Sequence, residues 1–183
     1  ALLSLLDKAD IAAIDTETTS LNYMQAEIVG ISFAINPKEA YYIPLLHNYD
    51  DAPTQLDRAY VLSKLKPWLE NSKYKKIGHN LKYDSHIFAN HGIALNGIAS
   101  DTMLESYVFN STATRHNLNA VAKRYLNQDT ISYEEVAGKG AKQISFNKVS
   151  LEDAIPYAAE DADVCFRLHQ ALYPKLQNIN SLI

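Results

Sequence analysis

Apolar positions along the chain follow two periods. Residues 11–17 (IAAIDTE), 27–36 (EIVGISFAIN) and 40–46 (AYYIPLL) are β-branched, aromatic or alanine-rich runs separated by polar and turn residues. They predict a three-stranded meander. Leu56, Ala59, Tyr60, Leu62, Leu65 and Leu69 then recur at helical spacing until Asn71 and Ser72 end the pattern. A short strand is expected at 75–79 (KKIGH), then a helix from Leu81 to Asn90 stopped by Gly92. Ile98 and Ala99 predict a fifth short strand ahead of a helix over 102–109. Residues 127–150 are polar, glycine-punctuated and aperiodic, which predicts a long loop or short broken helices of the kind used as lids or binding loops. The last strong pattern is a helix over 151–173 with Ser150 as N-cap. Pro156 lies beyond its first turn and predicts a late start or a kink just before Tyr157. The order β-β-β-α-β-α-β-α and further helix gives a mixed sheet with helices, an α/β or α+β arrangement.

The chemistry-bearing residues interrupt this frame. Asp15 and Glu17 stand one residue apart in a run that otherwise reads as a core strand. Side chains at i and i+2 of a strand share a face, so the two carboxylates repel and require something positive between them. Asp84 closes the run GHNLKYD at 78–84 and is expected in the first turn of its helix. Tyr157 and Asp161, four apart, share one face of the last helix. These motifs contain four carboxylates and no Lys or Arg cluster to balance them, which suits hard divalent cations such as Mg²⁺ or Mn²⁺. A pair of such ions about 4 Å apart clamps a phosphodiester between nucleophile and leaving oxygen. Taken singly, each acid is a surface group or a helix cap. Glu160 and Asp163 are assigned to that plainer role, Asp101 to a strand end and Asp153 to a first helical turn.

Composition narrows the partners. With 183 residues, 47% hydrophobic and 21% charged, the chain is expected to form one soluble domain, residues 1–183. It has no apolar stretch long enough to span a bilayer, and no membrane partner is expected. Its start, ALLSLLDKAD, has neither a basic leader nor an initial Met and is read as a cut edge of a longer protein. The single Cys165 lies in a helical pattern and reads as a small core residue in a reducing cytoplasm. A net charge of −4 argues against gripping long duplex by phosphate neutralisation. A short single-stranded end held by stacking, with cations balancing local charge, remains compatible.

Together IDTET at 14–18, GHNLKYD at 78–84 and YAAEDAD at 157–163 resemble the proofreading 3′-to-5′ exonuclease domain of bacterial family A DNA polymerase I. That is the tyrosine variety of the DEDD superfamily. The likeness extends to noncatalytic stretches, among them Ala52-Pro53, DTMLESY at 101–107 and EVAGKG at 135–140. It implies a ribonuclease H-like mixed β-sheet flanked by α-helices. It also implies a two-metal 3′-to-5′ exonuclease releasing nucleoside 5′-monophosphates from single-stranded or frayed DNA 3′ ends. The implied cofactors are two divalent cations, Mg²⁺ or Mn²⁺, with Zn²⁺ as an alternative at the first site. The implied partners are the single-stranded 3′ end and the polymerase domain of the same parent chain, in a bacterial, nucleoid-associated cytoplasmic setting. Asp15, Glu17 and Asp161 would hold the first ion, Asp15 and Asp84 the second, and Tyr157 with Glu17 would orient the attacking water. Leu21 matches a wedge beside the terminal base. Thr18, Asn80, Tyr83, Met103 and Arg115 match strand-lining positions, and Tyr133 a stacking aromatic. The chain departs from its relatives at His79, where they carry Gln, and at Pro156.

Two rival readings share these residues: an RNA-trimming exonuclease of the same superfamily, and a catalytically inactive structural or DNA-binding domain. The six histidines show no zinc spacing. Tyr41, Tyr42, Tyr60, Tyr107 and Tyr125 are read as core aromatics, and Gly138-Lys139-Gly140 as a turn.

Overall fold

The computed structural model describes residues 1–180, with side chains up to Asn178. Strands β1 (Ile11–Thr18), β2 (Ile28–Asn36), β3 (Glu39–Pro44), β4 (Lys75–Gly78) and β5 (Ile98–Asp101) form one sheet in the order β3-β2-β1-β4-β5. The meander β1–β2–β3 is antiparallel, while β4 joins β1 and β5 joins β4 in parallel. The helices are α1 (Leu2–Leu6), α2 (Arg58–Leu69), α3 (Leu81–Asn90), α4 (Thr102–Phe109), α5 (Leu118–Leu126), α6 (Tyr133–Ala137) and α7 (Leu151–Asn180). Two 3₁₀ turns, Gly140–Lys142 and Phe146–Lys148, fill the aperiodic region.

The alternation along β1 assigns its two faces. Ala12 and Ile14 pack with Leu62, Leu65, Trp68, Leu81 and Phe88 from α2 and α3, whereas Ala13 packs with Ala162, Cys165 and Phe166 from α7. Continuing the period of two sends Thr16 to the α3 side and Asp15 and Glu17 to the α7 side. A second contact layer, Val121 and Ala122 against Val164, Leu168 and Leu172, stacks α5 on α7. Cys165 is buried, as the helical pattern predicts.

Several expectations need correction. α1 has no counterpart among the elements that the sequence pattern predicts. Leu56 lies outside α2, and Tyr60 and Tyr107 are 59% and 57% exposed rather than core residues. Their rows are apolar by composition, but the faces they stand on receive no covering element. α7 begins at Leu151, so Pro156 does not delay it. Pro156 and Glu152 are both exposed, so the helical carbonyl that the proline cannot serve meets water. Ser150 caps this helix as expected: its hydroxyl accepts from the Asp153 amide at 3.3 Å.

Candidate active site

The acids gather where the sheet changes its pairing. β4 pairs β1 only as far as Ala13 and ends at Gly78, so beyond that point one edge of β1 has no neighbouring strand. The Thr16 amide on that edge needs an acceptor. Asp84, in the first turn of α3, supplies it: its Oδ1 accepts from Thr16 N at 3.0 Å and from Thr16 Oγ1 at 2.6 Å. The carboxylate from one face of the sheet is thereby drawn to the end of the strand that carries Asp15 and Glu17 on its other face.

From the α7 side comes Asp161, one helical turn after Tyr157. Oxygens of Asp15, Glu17 and Asp161 all lie within 4.8 Å of one another. The Tyr157 phenol and the Asp161 carboxylate influence each other's protonation across that turn. Among the described residues no Lys or Arg forms an ion pair with any of the four acids. The electrostatic consequence is large. Burial, then the charges of Asp84, Glu17 and Asp161, pushes Asp15 well above the usual carboxylate range. Burial, then Asp161 and Asp84, does the same to Glu17. Asp84 is raised to about 7 by burial against the opposing Thr16 hydrogen bond, and Asp161 to about 7 by burial against the lowering effect of the Tyr157 hydroxyl. Burial and the Asp161 charge raise the Tyr157 phenol, so it keeps its proton.

A cleft of about 700 Å³ opens over this cluster, lined by Asp15, Glu17, Thr18, Leu21, Tyr83, Tyr133, Tyr157 and Asp161 among others. Leu21 is 94% exposed at its mouth. Tyr83 donates to Ser20 O at 2.7 Å and shares a 2.5 Å bond with the Thr18 hydroxyl, fixing the loop after β1. Tyr133 stacks on Phe146 with centroids 6.2 Å apart and meets Tyr157 edge-on at 6.3 Å. Asn80, Met103 and Arg115 stand outside this lining: Asn80 and Arg115 are exposed and Met103 is half-buried.

The donor set fits hard cations. Glu17 Oε1 is buried without any hydrogen-bond partner, and crowded acids with raised pKa values are the state that a divalent ion relieves. Over residues 1–177 the chain matches the 3′-5′ exonuclease family of family A DNA polymerases. The chain belongs to that family. As a 3′-5′ exonuclease domain it is 54% identical to DNA polymerase I of Pseudomonas aeruginosa, with 100% of this chain covered and 20% of that polymerase. The chain thus spans about a fifth of the length of such relatives. Its fold is similar to that of the M. smegmatis Pol1 structure, with TM-score 0.70, 21% identity, and 99% and 26% of the two chains covered. Brucella melitensis NrnC is similar too, with TM-score 0.69, 23% identity, and 94% and 76% covered. At those identities the likeness is one of fold. Family membership implies divalent metal ions, and an acidic cluster that could hold one is present.

Three acids outside the cluster help to build the exonuclease domain, Asp101 from the end of β5 as expected and Glu160 and Asp163 from half-buried positions on α7. Glu160 accepts from Ile131 N at 2.6 Å and Gln128 Nε2 at 3.1 Å, clasping the loop after α5 to α7. Asp163 accepts from Lys38 N at 2.5 Å and pairs with Arg167 at 2.8 Å. Asp101 caps two helices: it accepts from Met103 N at 2.9 Å in α4, and from Asn80 N and Leu81 N at 3.0 and 2.7 Å at the start of α3. It therefore sets the direction of α3 and the place of Asp84. Local spacing signals only the α4 cap and the Asp163–Arg167 pair; the other partners are 20 to 125 residues distant.

Proposed function

We propose that this domain hydrolyses the terminal phosphodiester of single-stranded or frayed DNA 3′ ends, releasing nucleoside 5′-monophosphates as the proofreading partner of a polymerase domain in the same parent chain. A bacterial cytoplasmic setting near the nucleoid belongs to the same reading. The observation that carries it is the set of three carboxylates within 4.8 Å, unpaired by any Lys or Arg among the described residues, in the floor of a cleft. Asp15, Glu17 and Asp161 would hold one divalent ion and Asp15 with Asp84 a second, Mg²⁺ or Mn²⁺, with Zn²⁺ as an alternative at the first position. Such ions, when bound, activate water and stabilise charge on the phosphodiester and leaving oxygens.

The chain's own residues do the rest. Thr16 holds Asp84 at the strand edge. Tyr157 stays protonated through the working range, so it acts as a hydrogen-bonding guide for the attacking water and not as its base. Glu17 Oε1, with no protein partner, is free to share that task. Leu21 and Tyr133 offer apolar surface to the terminal base.

The test is release of labelled nucleotide from a single strand. Monophosphate should appear with Mg²⁺ or Mn²⁺, stop in chelator, and form faster from single strands and mismatched ends than from blunt duplex. Undiminished hydrolysis in chelator would overturn the reading. A matched RNA strand cut faster than DNA would move the domain to the RNA-trimming branch.

A further inference from the structure

We infer that Ser32 is a positioning residue for the hydrolysis proposed above: when an ion is bound, its hydroxyl donates to the Asp15 carboxylate and fixes the direction in which that carboxylate points. The inference rests on the exonuclease reading and gives a task to a β2 side chain that no sequence motif singles out.

Ser32 pairs with Asp15 on β1 and with Tyr42 on β3. Residues paired across antiparallel strands share a face, with Cβ atoms about 5 Å apart. Ser32 therefore lies on the α7 side of the sheet, and Asp15 is the acid that faces it; Glu17, two residues further along β1, is opposite Gly30. Ser32 is fully buried, and its Oγ has no hydrogen-bond partner. A buried hydroxyl left unpaired is destabilising, so its presence calls for a partner. The other neighbours do not supply one. Tyr42 reaches away over Gly30, where a Cβ would lie 2.1 Å from the tyrosine hydroxyl, and that hydroxyl is bonded to His47 Nε2 at 2.7 Å. Ala34 and Ala13, beside Ser32 and Asp15 on the same face, pack with Ala162 of α7 and carry no polar side-chain atom. The buried residues of α7 at four-residue spacing, Ala154, Ala158 and Ala162, offer none either. Asp15 is the acceptor that the register leaves.

Two unpartnered buried atoms thus flank Asp15: the Ser32 hydroxyl across the ladder and Glu17 Oε1 two residues along the strand. An ion held by Asp15 and Glu17 satisfies the second, and a hydrogen bond to Asp15 satisfies the first. A neutral donor suits this place. Asp15 is the acid that the reading above gives to both ions, so its orientation matters to each. A hydroxyl supports an ionised carboxylate through a charge-assisted hydrogen bond, and it adds no positive charge to compete with the ions. Such outer partners set the direction of metal-ligating carboxylates, and their loss costs about 10- to 100-fold in metal affinity or activity.

The test is Ser32→Ala, which deletes the hydroxyl and nearly keeps the size. Mn²⁺ binding is measured by calorimetry, and thermal melting without metal, for the unaltered chain and the variant. Ser32→Ala should bind Mn²⁺ about tenfold more weakly. Its metal-free Tm should be unchanged or higher, because an unpaired buried hydroxyl has been removed. A hydroxyl with a merely structural role would give the reverse pattern, a lower metal-free Tm with Mn²⁺ affinity unchanged. Equal Mn²⁺ affinity in the two chains would overturn the role of Ser32 while leaving the exonuclease reading standing. A variant that melts earlier without metal, or does not fold, would show that the hydroxyl is already partnered without the ion, and would overturn it too. An unaltered chain that binds no Mn²⁺ would overturn both readings.

Discussion

Tyr157 and Asp161 occupy one face of α7, yet they should fail differently when changed. Asp161 supplies an oxygen to the three-carboxylate cluster, so Asp161→Ala should weaken divalent-ion binding and turnover together. Tyr157 guides water, and Tyr157→Phe should keep the ions while turnover falls about 100-fold. Calorimetric metal binding paired with monophosphate release separates the two. Loss of the ion in Tyr157→Phe would contradict the assignment. Thr16 is a subtler case, since its hydroxyl holds Asp84 without lining up with the other acids. Thr16→Val keeps the size and the backbone bond but removes the hydroxyl. Turnover should drop about tenfold or more, in the range seen when a residue orienting a metal ligand is lost, with circular dichroism unchanged. Wild-type turnover in Thr16→Val would show that the backbone amide alone positions Asp84.

At the level of elements, the sheet and its loops shape the wall beside Glu17. Gly30 on β2 lies across from Glu17 on β1, and the ring of Tyr42 from β3 packs directly over it. A Cβ on Gly30 would collide with that ring, which is rigid and tethered by a 2.7 Å bond between the Tyr42 hydroxyl and His47 Nε2. His47 in turn bonds Val149 O at 3.0 Å, so displacement of Tyr42 reaches the segment leading into α7. Gly30→Ala should therefore destabilise the domain by about 2 kcal/mol, typical of overpacking, and lower turnover as well. Denaturant unfolding measures the first effect; an unchanged midpoint would mean that the ring moves away without cost.

For the whole molecule, the net charge of −4 understates how acidic the cleft is, because four carboxylates converge there with no basic partner among the described residues. Without metal, the folded chain retains protons that the unfolded chain releases. Asp84 and Asp161 titrate near about 7 when folded, and Asp15 and Glu17 are also raised. In unfolded chains carboxylates titrate at about 4. Between those values the folded state binds more protons than the unfolded one, so stability is full below the lower value and declines as pH rises through the upper one. The Tm of the metal-free chain should fall as pH is raised from about 5 to about 8. Saturating Mg²⁺ or Mn²⁺ should flatten that slope and raise Tm at the alkaline end by mass action. A metal-free Tm that climbs across this window would show that the acids are not crowded in solution. Among the described residues no helix is long and apolar enough to cross a membrane.

The sequence by itself determined the five strands, the principal helices and the inventory of acids. Alternation placed Asp15 and Glu17 on one strand face, and i, i+4 spacing placed Tyr157 and Asp161 on one helix face. Both are local periodicities that survive any tertiary arrangement. The aperiodic stretch at 127–150 was equally legible, because short turns leave no period to read. Tertiary structure decided which acids meet. Asp84 reaches the cluster because β4 stops at Gly78 and leaves the Thr16 amide open, an edge that no residue near Asp84 announces. Glu160, Asp163 and Asp101 were separable from the site acids in sequence, but not the distant backbone amides that they serve. Tyr60 and Tyr107 fit apolar rows yet remain exposed, while Ile144 joined the cleft through hydrogen bonds to Ala137 and, by its neighbour Ser145, to Thr19. Local pattern governs which way a side chain leaves its own element; only the packing of elements far apart in the chain governs what it meets there.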